Sequence, residues 1–327
     1  MPATIAAPGS GATPWPSART RPRNPPASGA PPGCPDDFGT VFCSTKPQGQ
    51  GPQHPGGPVP DPTPAPGDDL TDDAADPKFV TALSRGLALL RAFNDGEVAL
   101  SNQAFAARTG LPKATVTRLT YTLCKLGYLV QTEPGGEYRL GPGVLALGYG
   151  MIAGMEIKDR AQLELAEICR GDNPHVAAAL GERYGHSVVY LATHRSPNSV
   201  SMVFHLGAQV PLFHSAIGRA ILMALPEDQQ DALLDEAQSA AKPAERARLA
   251  DGLARGRADF ARFGYCTSFG EWRKEINGIA VPVKPVQGGS VYAINVGGFG
   301  FLNPAETLTD HYAPRLLRAA QTLSLRP

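Results

Sequence analysis

From Phe79 to Asn94 the chain reads FVTALSRGLALLRAFN, with Val80, Leu83, Leu87, Leu90 and Phe93 three and four residues apart. That spacing puts them on one face of a helix. Asp95-Gly96 breaks the pattern. Ser101 then stands where a hydroxyl can satisfy a free backbone N–H, so it predicts the start of a second helix over NQAFAART, which Gly110 stops. Pro112 suits the first turn of a third helix, PKATVTRLTYTLCKLG, because its missing N–H costs nothing there. So short a link forces the two helices to cross steeply, as in a helix-turn-helix. In the third helix Val116, Leu119, Leu123 and Leu126 form the apolar stripe. Two short β-prone runs follow, flanking Pro134-Gly135-Gly136, a hairpin placed where a wing would sit.

Further on, PGVLALGYGMIAGMEIKDRAQ is apolar with a helical rhythm and predicts a connector helix over residues 141–160. An exposed apolar helix needs a partner, and a second copy of the chain is the simplest. From residue 161 the texture is mixed. AQLELAEICRGDNPHVAAALGERYG reads as a helical stretch with Gly171–Pro174 as its weak point. SVVYLAT, SVSMVFH, GIAVPV and SVYAINVGG read as strands; IGRAILMAL, PEDQQDALLDEA, DGLARGRADFARFG and PAETLTDHYAPRLLRAAQTL read as helices. Strands grouped away from helices predict an antiparallel sheet with helices packed on it, an α+β domain over 161–327.

Composition changes the picture at one place. Residues 1–76 hold most of the chain's 32 prolines and a large share of its 36 glycines. Such a segment buries too little to fold, and a disordered tail is expected there, or an N-terminus assigned too early. Its RTRPR run (Arg19, Arg21, Arg23) reads as a solvated stretch, the alternative being a contact with DNA or another polyanion. Hydrophobic residues make up 42% of the 327, enough for a core, and the net charge is zero, so any polyanion signal has to be local. Cys34, Cys43, Cys124, Cys169 and Cys266 are scattered, with no CxxC pair, which favours a reducing compartment, the cytoplasm, over a disulfide framework. The sequence has no apolar run long enough to span a bilayer and no signal-peptide pattern, so no membrane partner is expected.

The local signal lies in the third helix. Outside its apolar stripe stand Lys113, Thr115, Thr117, Arg118 and Tyr121, cationic or hydroxyl groups that suit phosphates and base edges. No Asp or Glu occurs from Leu111 to Val130, where an ordinary solvated helix mixes acids in. The segment 77–140 predicts a winged helix-turn-helix, with Lys113, Thr115, Thr117 and Arg118 in the major groove, Ser101 near a phosphate and Arg139 at the base of the wing. Tyr121 suits packing as well as a phosphate contact.

The stretches LSRGLALLRAF, ARTGLPKATVTRLTYTLCKLGYL and YRLGPGVLALG resemble the winged helix-turn-helix of IclR-type bacterial transcription regulators. The resemblance runs over roughly residues 78–325. It implies a connector that dimerises the chain, as a homodimer or a dimer of dimers on double-stranded operator DNA, and a GAF-like C-terminal domain with a pocket for a small organic acid effector. PLFHSAIGRAILMAL, GYCTSFGEWRKEINGIAVPV and YAINVGG match the segments that line that pocket. The ligand-facing positions correspond to Ala216, Ile217, Ser268, Gly278, Asn295 and Gly297. Members that bind small keto acids tend to carry an Asp, a Cys and two Ser at the last four. Two glycines here imply a roomier pocket and a larger, partly apolar organic acid, aromatic ones included. The function expected is a DNA-binding regulator whose operator affinity the effector modulates. The alternative is a ligand-binding or interaction module that keeps the helix-turn-helix as scaffold.

No enzyme chemistry is expected, and no cofactor. Cys266 and His214 would make a thiol and base, without an orienting acid. His186, His194, His205 and His214 lack the short ligand spacing of zinc sites, so no metal is expected. GFGFL lacks a following helix start and is not a nucleotide loop. Arg273 and Lys274 beside Trp272 read as a loop face, or as part of a charged lid over an anion.

Overall fold

The computed structural model describes residues 77–325 apart from 95, 134–135, 172, 197–204 and 285–289. The Pro/Gly-rich tail, the Pro134-Gly135 turn and the predicted SVSMVFH strand, except His205, lie outside these residues.

The first layer holds α1 (Thr81–Arg91), α2 (Asn102–Thr109), α3 (Lys113–Lys125) and an antiparallel hairpin of β1 (Leu129–Gln131) and β2 (Tyr138–Leu140). The Ser101 hydroxyl accepts the Ala104 N–H at 3.2 Å, and Gly110 ends α2 at φ +66°, a conformation glycine adopts without strain. Leu100 pairs with Tyr138 through two 2.8 Å backbone bonds, fastening the segment before α2 to the hairpin. Leu89, Phe105, Val116, Leu123 and Leu129 close the core, with Phe93 edge-on to Phe105.

One predicted stripe is corrected here. On the apolar face of the first helix Leu90 and Phe93 pack against the core beside the fully buried Leu89, while Val80 and Leu83 are each 62% exposed and Leu87 is exposed as well. In α3, Leu126 is exposed although Val116 and Leu123 are buried. Spacing identifies an apolar face, but it does not say that the same chain covers it.

The connector is two helices rather than one: α4 (Pro142–Ala153) ends at Gly154, and α5 (Glu156–Ile168) runs on into the next layer. No residue of α4 is buried, and Leu145, Leu147, Tyr149 and Met151 are all exposed. In α5, Ala161, Leu165 and Ile168 turn inward.

The second layer is a six-stranded antiparallel sheet: β3 (Ala177–Tyr184), β4 (Ser187–Arg195), β5 (Gln209–Pro211), β6 (Cys266–Phe269), β7 (Ile276–Val283) and β8 (Tyr292–Phe299), in the order β5-β4-β3-β8-β7-β6. The second half of the stretch predicted helical, AAALGERY, is here the central strand β3. Ala178 and Leu180 pack on one face, Ala177 and Ala179 on the other. A strand buried on both sides shows no alternation, and an alanine run then imitates a helix. One face carries α5 and the C-terminal helix. That helix begins as α9 (Ala305–Thr307), widens into a π turn at Leu308–Tyr312 and resumes as α10 (Ala313–Ser324), with Pro314 in its first turn. The other face carries α6 (Ala216–Ala224) and α8 (Pro243–Phe263), with α7 (Glu227–Ala240) outside them. Among the described residues no helix is long and apolar enough to cross a membrane.

One ion pair that the sequence did not announce ties the first layer together. Arg108 of α2 grips Glu97 with both guanidinium nitrogens, at 2.5 and 2.7 Å, and donates to the Ala92 carbonyl at 2.7 Å. Arg108, helped by the Asn94 N–H, holds the Glu97 carboxyl down at about 2. A depressed carboxyl adds stability that is fully present above its ordinary value of 4.5 and is lost as pH falls toward about 2. Glu97→Gln is therefore expected to lower the denaturation midpoint at neutral pH, with the deficit closing through that acid window; melts of both proteins across it provide the check.

Candidate functional site

Two regions collect the residues singled out from sequence. The first is the exposed side of α3. Lys113, Thr117 and Tyr121 stand one turn apart in a row, and Arg118 lies beside them. All four are exposed, and the helix carries no acid. The Thr117 hydroxyl donates back to the Lys113 carbonyl at 3.0 Å, which fixes its rotamer. The Lys125 ammonium sits 5.5 Å from the centre of the Tyr121 ring, so the cationic row runs one turn further than expected. Its signal was available, since Lys125 is four residues beyond Tyr121. Thr115 falls away from this row and is half-buried. Ser101 uses its oxygen as the α2 cap, and Arg139 is exposed on β2, where it donates to the Leu140 carbonyl.

The second region is a cavity between the start of α6 and strands β6, β7 and β8. Ala216, Ile217, Ser268, Gly278, Asn295 and Gly297 all line it, together with Tyr190, Ser215, Trp272, Ile276 and Asn277. Ser215 caps α6: its hydroxyl accepts the Gly218 N–H at 3.1 Å and donates to the Pro211 carbonyl at 2.7 Å. The Ala216 and Ile217 N–H groups open the helix and have no intrahelical carbonyl to bond, which makes this end attractive to an anion. The Ser268 hydroxyl is spent on the His214 carbonyl at 2.7 Å.

The cavity is small, about 20 Å³, against the expected roomier pocket. Tyr190, Trp272 and Ile276 fill what the glycines were expected to free, and sequence reading had not placed them there. The two glycines also differ. A side chain at Gly297 would strike the Asn277 carbonyl at 2.4 Å, so this glycine serves strand packing; one at Gly278 would meet only ordinary contacts, 3.9 Å from the Ala216 methyl.

Arg219, 1% exposed, braces the site. It donates to the Phe213 carbonyl (2.9 Å), the Thr267 carbonyl (2.8 Å) and the Glu271 carboxylate (2.5 Å). Burial pushes the Glu271 carboxyl up, but Arg219 and Arg255 outweigh it and hold it below the ordinary range. Glu271 thus anchors the next residue, Trp272, at the cavity, and the Arg273 guanidinium stacks on its ring at 4.8 Å. Burial drives the His214 imidazole below its usual value against the pull of Glu245, 2.8 Å away. Burial likewise raises the Cys266 thiol, which lies against the Gly256 carbonyl, so it stays a thiol rather than a nucleophilic thiolate. Among the described residues no group of three or more His, Cys, Asp or Glu side chains is arranged to hold a metal.

A helix-turn-helix with a hairpin wing, followed by a sheet domain enclosing a small cavity, defines a ligand-responsive DNA-binding protein as the class. Residues 82–133 match the IclR helix-turn-helix domain, and residues 149–325 match the bacterial transcriptional regulator IclR C-terminal domain. The chain is 29% identical over 249 residues to the Pca regulon regulatory protein of Pseudomonas putida, covering 76% of this chain and 84% of that one. It is 30% identical over 257 residues to the HTH-type transcriptional regulator TsaQ1/TsaQ2 of Comamonas testosteroni, covering 75% and 87%. An IclR family transcriptional regulator structure from Brucella abortus superposes with a TM-score of 0.69 at 38% identity, covering 80% of this chain and 98% of that one. The chain belongs to the IclR family of bacterial transcriptional regulators, with a DNA-binding helix-turn-helix and an effector-binding C-terminal domain; it is a regulator and not an enzyme.

The geometry around α6 separates two glycine substitutions. A side chain at Gly218 would lie 2.1 Å from the Leu212 carbonyl oxygen, so Gly218→Ala is expected to cost about 1–3 kcal/mol. Gly278→Ala should leave the unfolding free energy within about 0.5 kcal/mol. Chemical denaturation of the two variants beside the parent chain measures both.

Proposed function

We propose that α3 enters the major groove of an operator, with Lys113, Thr117 and Arg118 meeting base edges and phosphates and Tyr121 and Lys125 extending the contact along the backbone. The observation that carries this reading is the acid-free row of cationic and hydroxyl side chains on the exposed side of α3. Thr115 contributes at the edge of the groove, Ser101 meets a phosphate beside its cap, and Arg139 takes the backbone at the wing. The segments act as a winged helix-turn-helix over 77–140, a connector over 141–160 and an effector-binding domain over 161–327, in a cytoplasmic protein.

Two copies form the functional unit, alone or paired again as a dimer of dimers. Val80 just before α1, Leu83 and Leu87 of α1, Leu126 beyond α3 and Leu145, Leu147, Tyr149 and Met151 of α4 are exposed apolar residues that one chain leaves open to water. An apolar groove of about 290 Å³ lies among α1, α3 and Leu147. A two-fold pair closing over these faces would present two recognition helices to a two-fold DNA site. The C-terminal cavity takes a small organic acid, its carboxylate on the Ala216 and Ile217 N–H groups. The acid shifts DNA occupancy by its different affinity for the two domain arrangements.

DNA from just upstream of the protein's own gene, titrated at physiological salt with nonspecific competitor, tests the reading. Saturable binding is expected, and Arg118→Ala should weaken it by about 1–3 kcal/mol with the thermal melt unchanged. Binding that disappears with competitor for the parent chain points instead to a ligand-binding module with the helix-turn-helix as scaffold. Leu83→Asp is expected to shift the chain toward monomer in light scattering, because a carboxylate would be buried in the closed face; an unchanged mass would refute that interface.

A further inference from the structure

The solvent face of α3 is set by what it lacks as much as by what it holds. Lys113, Ala114, Thr117, Arg118 and Tyr121 are exposed along it. Of the side chains that read bases by paired hydrogen bonds, α3 has no Asn or Gln for adenine and no Asp or Glu for cytosine. Its outward threonines have committed their hydroxyls. Thr117 Oγ1 donates to the Lys113 carbonyl at 3.0 Å, and Thr122 Oγ1 donates to the Arg118 carbonyl at 3.0 Å, each one turn back along the same helix. A hydroxyl turned onto its own backbone leaves the γ-methyl as the part of an exposed threonine that is offered outward. Ala114, which the sequence reading passed over, offers a methyl as well. It stands three residues before Thr117, hence on the same face and about 5–6 Å from it. The helix therefore presents two methyl groups with Lys113 and Arg118 on either side.

Resting on the reading of α3 as the helix that enters the major groove, we propose that Ala114 and Thr117 recognise thymine through its 5-methyl group, beside a guanine held by Arg118. The thymine methyl is the apolar feature that a base pair presents in the major groove, and small apolar groups are what suits it. A cytosine in the same place would present an amino donor, for which α3 has no carboxylate. Successive base pairs rise about 3.4 Å, so two side-chain methyls at this separation reach neighbouring pairs. Arg118 lies four residues beyond Ala114, one turn along the same face, where its guanidinium can take O6 and N7 of guanine together. The half-site then carries thymine next to guanine, and its recognition depends on a methyl group that uracil lacks.

Duplexes selected by the full chain from a random pool supply the site, and the test replaces its thymines by uracil one at a time, with equilibrium binding measured at physiological salt. For the parent chain, uracil is expected to weaken binding about fourfold at each contacted thymine, the worth of one methyl group taken out of water, and to change nothing at the others. Thr117→Ser, which keeps the hydroxyl and removes the methyl, and Ala114→Gly are each expected to bind the thymine site about as weakly as the parent chain binds the uracil site. Each variant should also be indifferent to uracil at the position its methyl had met. A selected site without thymine, or uracil tolerated at every thymine, overturns the methyl contact and leaves α3 as the reading helix. A uracil effect of full size at the same positions in both variants overturns the assignment to Ala114 and Thr117. Selection that enriches no sequence overturns the reading of α3 itself, and the thymine contact with it. The uracil series on the parent chain decides the methyl contact even if a variant fails to fold.

Discussion

The effector domain depends on one guanidinium placed out of reach of water. Arg219 is buried, and a buried charge is tolerable only when its donors are satisfied. Its partners come from three separate places: the Phe213 carbonyl ahead of α6, the Thr267 carbonyl of β6 and the Glu271 carboxylate in the loop that carries Trp272. Removing any one would strand part of a charge in a dry interior, which costs far more than losing a surface contact. The start of α6, the edge of the sheet and the loop over the cavity are therefore coupled. The anion-attracting end of α6 and the aromatic wall facing it are positioned by a single side chain that touches neither the cavity nor solvent.

The N-terminal layer obeys a different constraint. Its core is small, and Phe93, Phe105 and Tyr138 account for much of its bulk. The apolar residues left over on α1 and α4 lie outside that core. The same feature explains why α4 persists as a helix despite Gly148 and Gly150, each of which weakens an isolated helix by about 1 kcal/mol. An apolar helix without buried residues gains little from its own chain, and the proposed two-fold pairing would cover it.

Local chemistry was readable from the sequence wherever a single residue dictates backbone geometry. Ser101, Gly110 and Pro112 placed α2 and α3, because caps and stops act within one turn. The six cavity residues were located through motifs, and the fold brings them around one space. What could not be read depends on the partner of a face rather than on the face itself. The α1 residues were read as one apolar face; Leu90 and Phe93 pack against the core while Val80, Leu83 and Leu87 stand exposed, a division that spacing does not announce. VAAAL was read as helical and is strand from Ala177 on, because a central strand and a buried helix both lack alternation. The size of the cavity escaped for the same reason: the glycines were visible, but Tyr190 and Trp272 reach the cavity from β4 and from a loop, and no local pattern announces that meeting.

These constraints also limit how a ligand in the cavity can act. Trp272 lines the cavity and follows directly on Glu271, which Arg219 holds. A cavity of about 20 Å³ admits a water-sized group, so a larger molecule has to displace a wall. Displacing Trp272 strains the Glu271 anchor, and moving α6 disturbs the carbonyls that satisfy Arg219. Either way the work of opening falls on the most strongly coupled part of the domain. Binding energy spent there is what would make the two states differ, because a ligand shifts an equilibrium only through its different affinity for each. By the same linkage, in the proposed dimer DNA that favours one arrangement would change the affinity of the cavity by an equal factor.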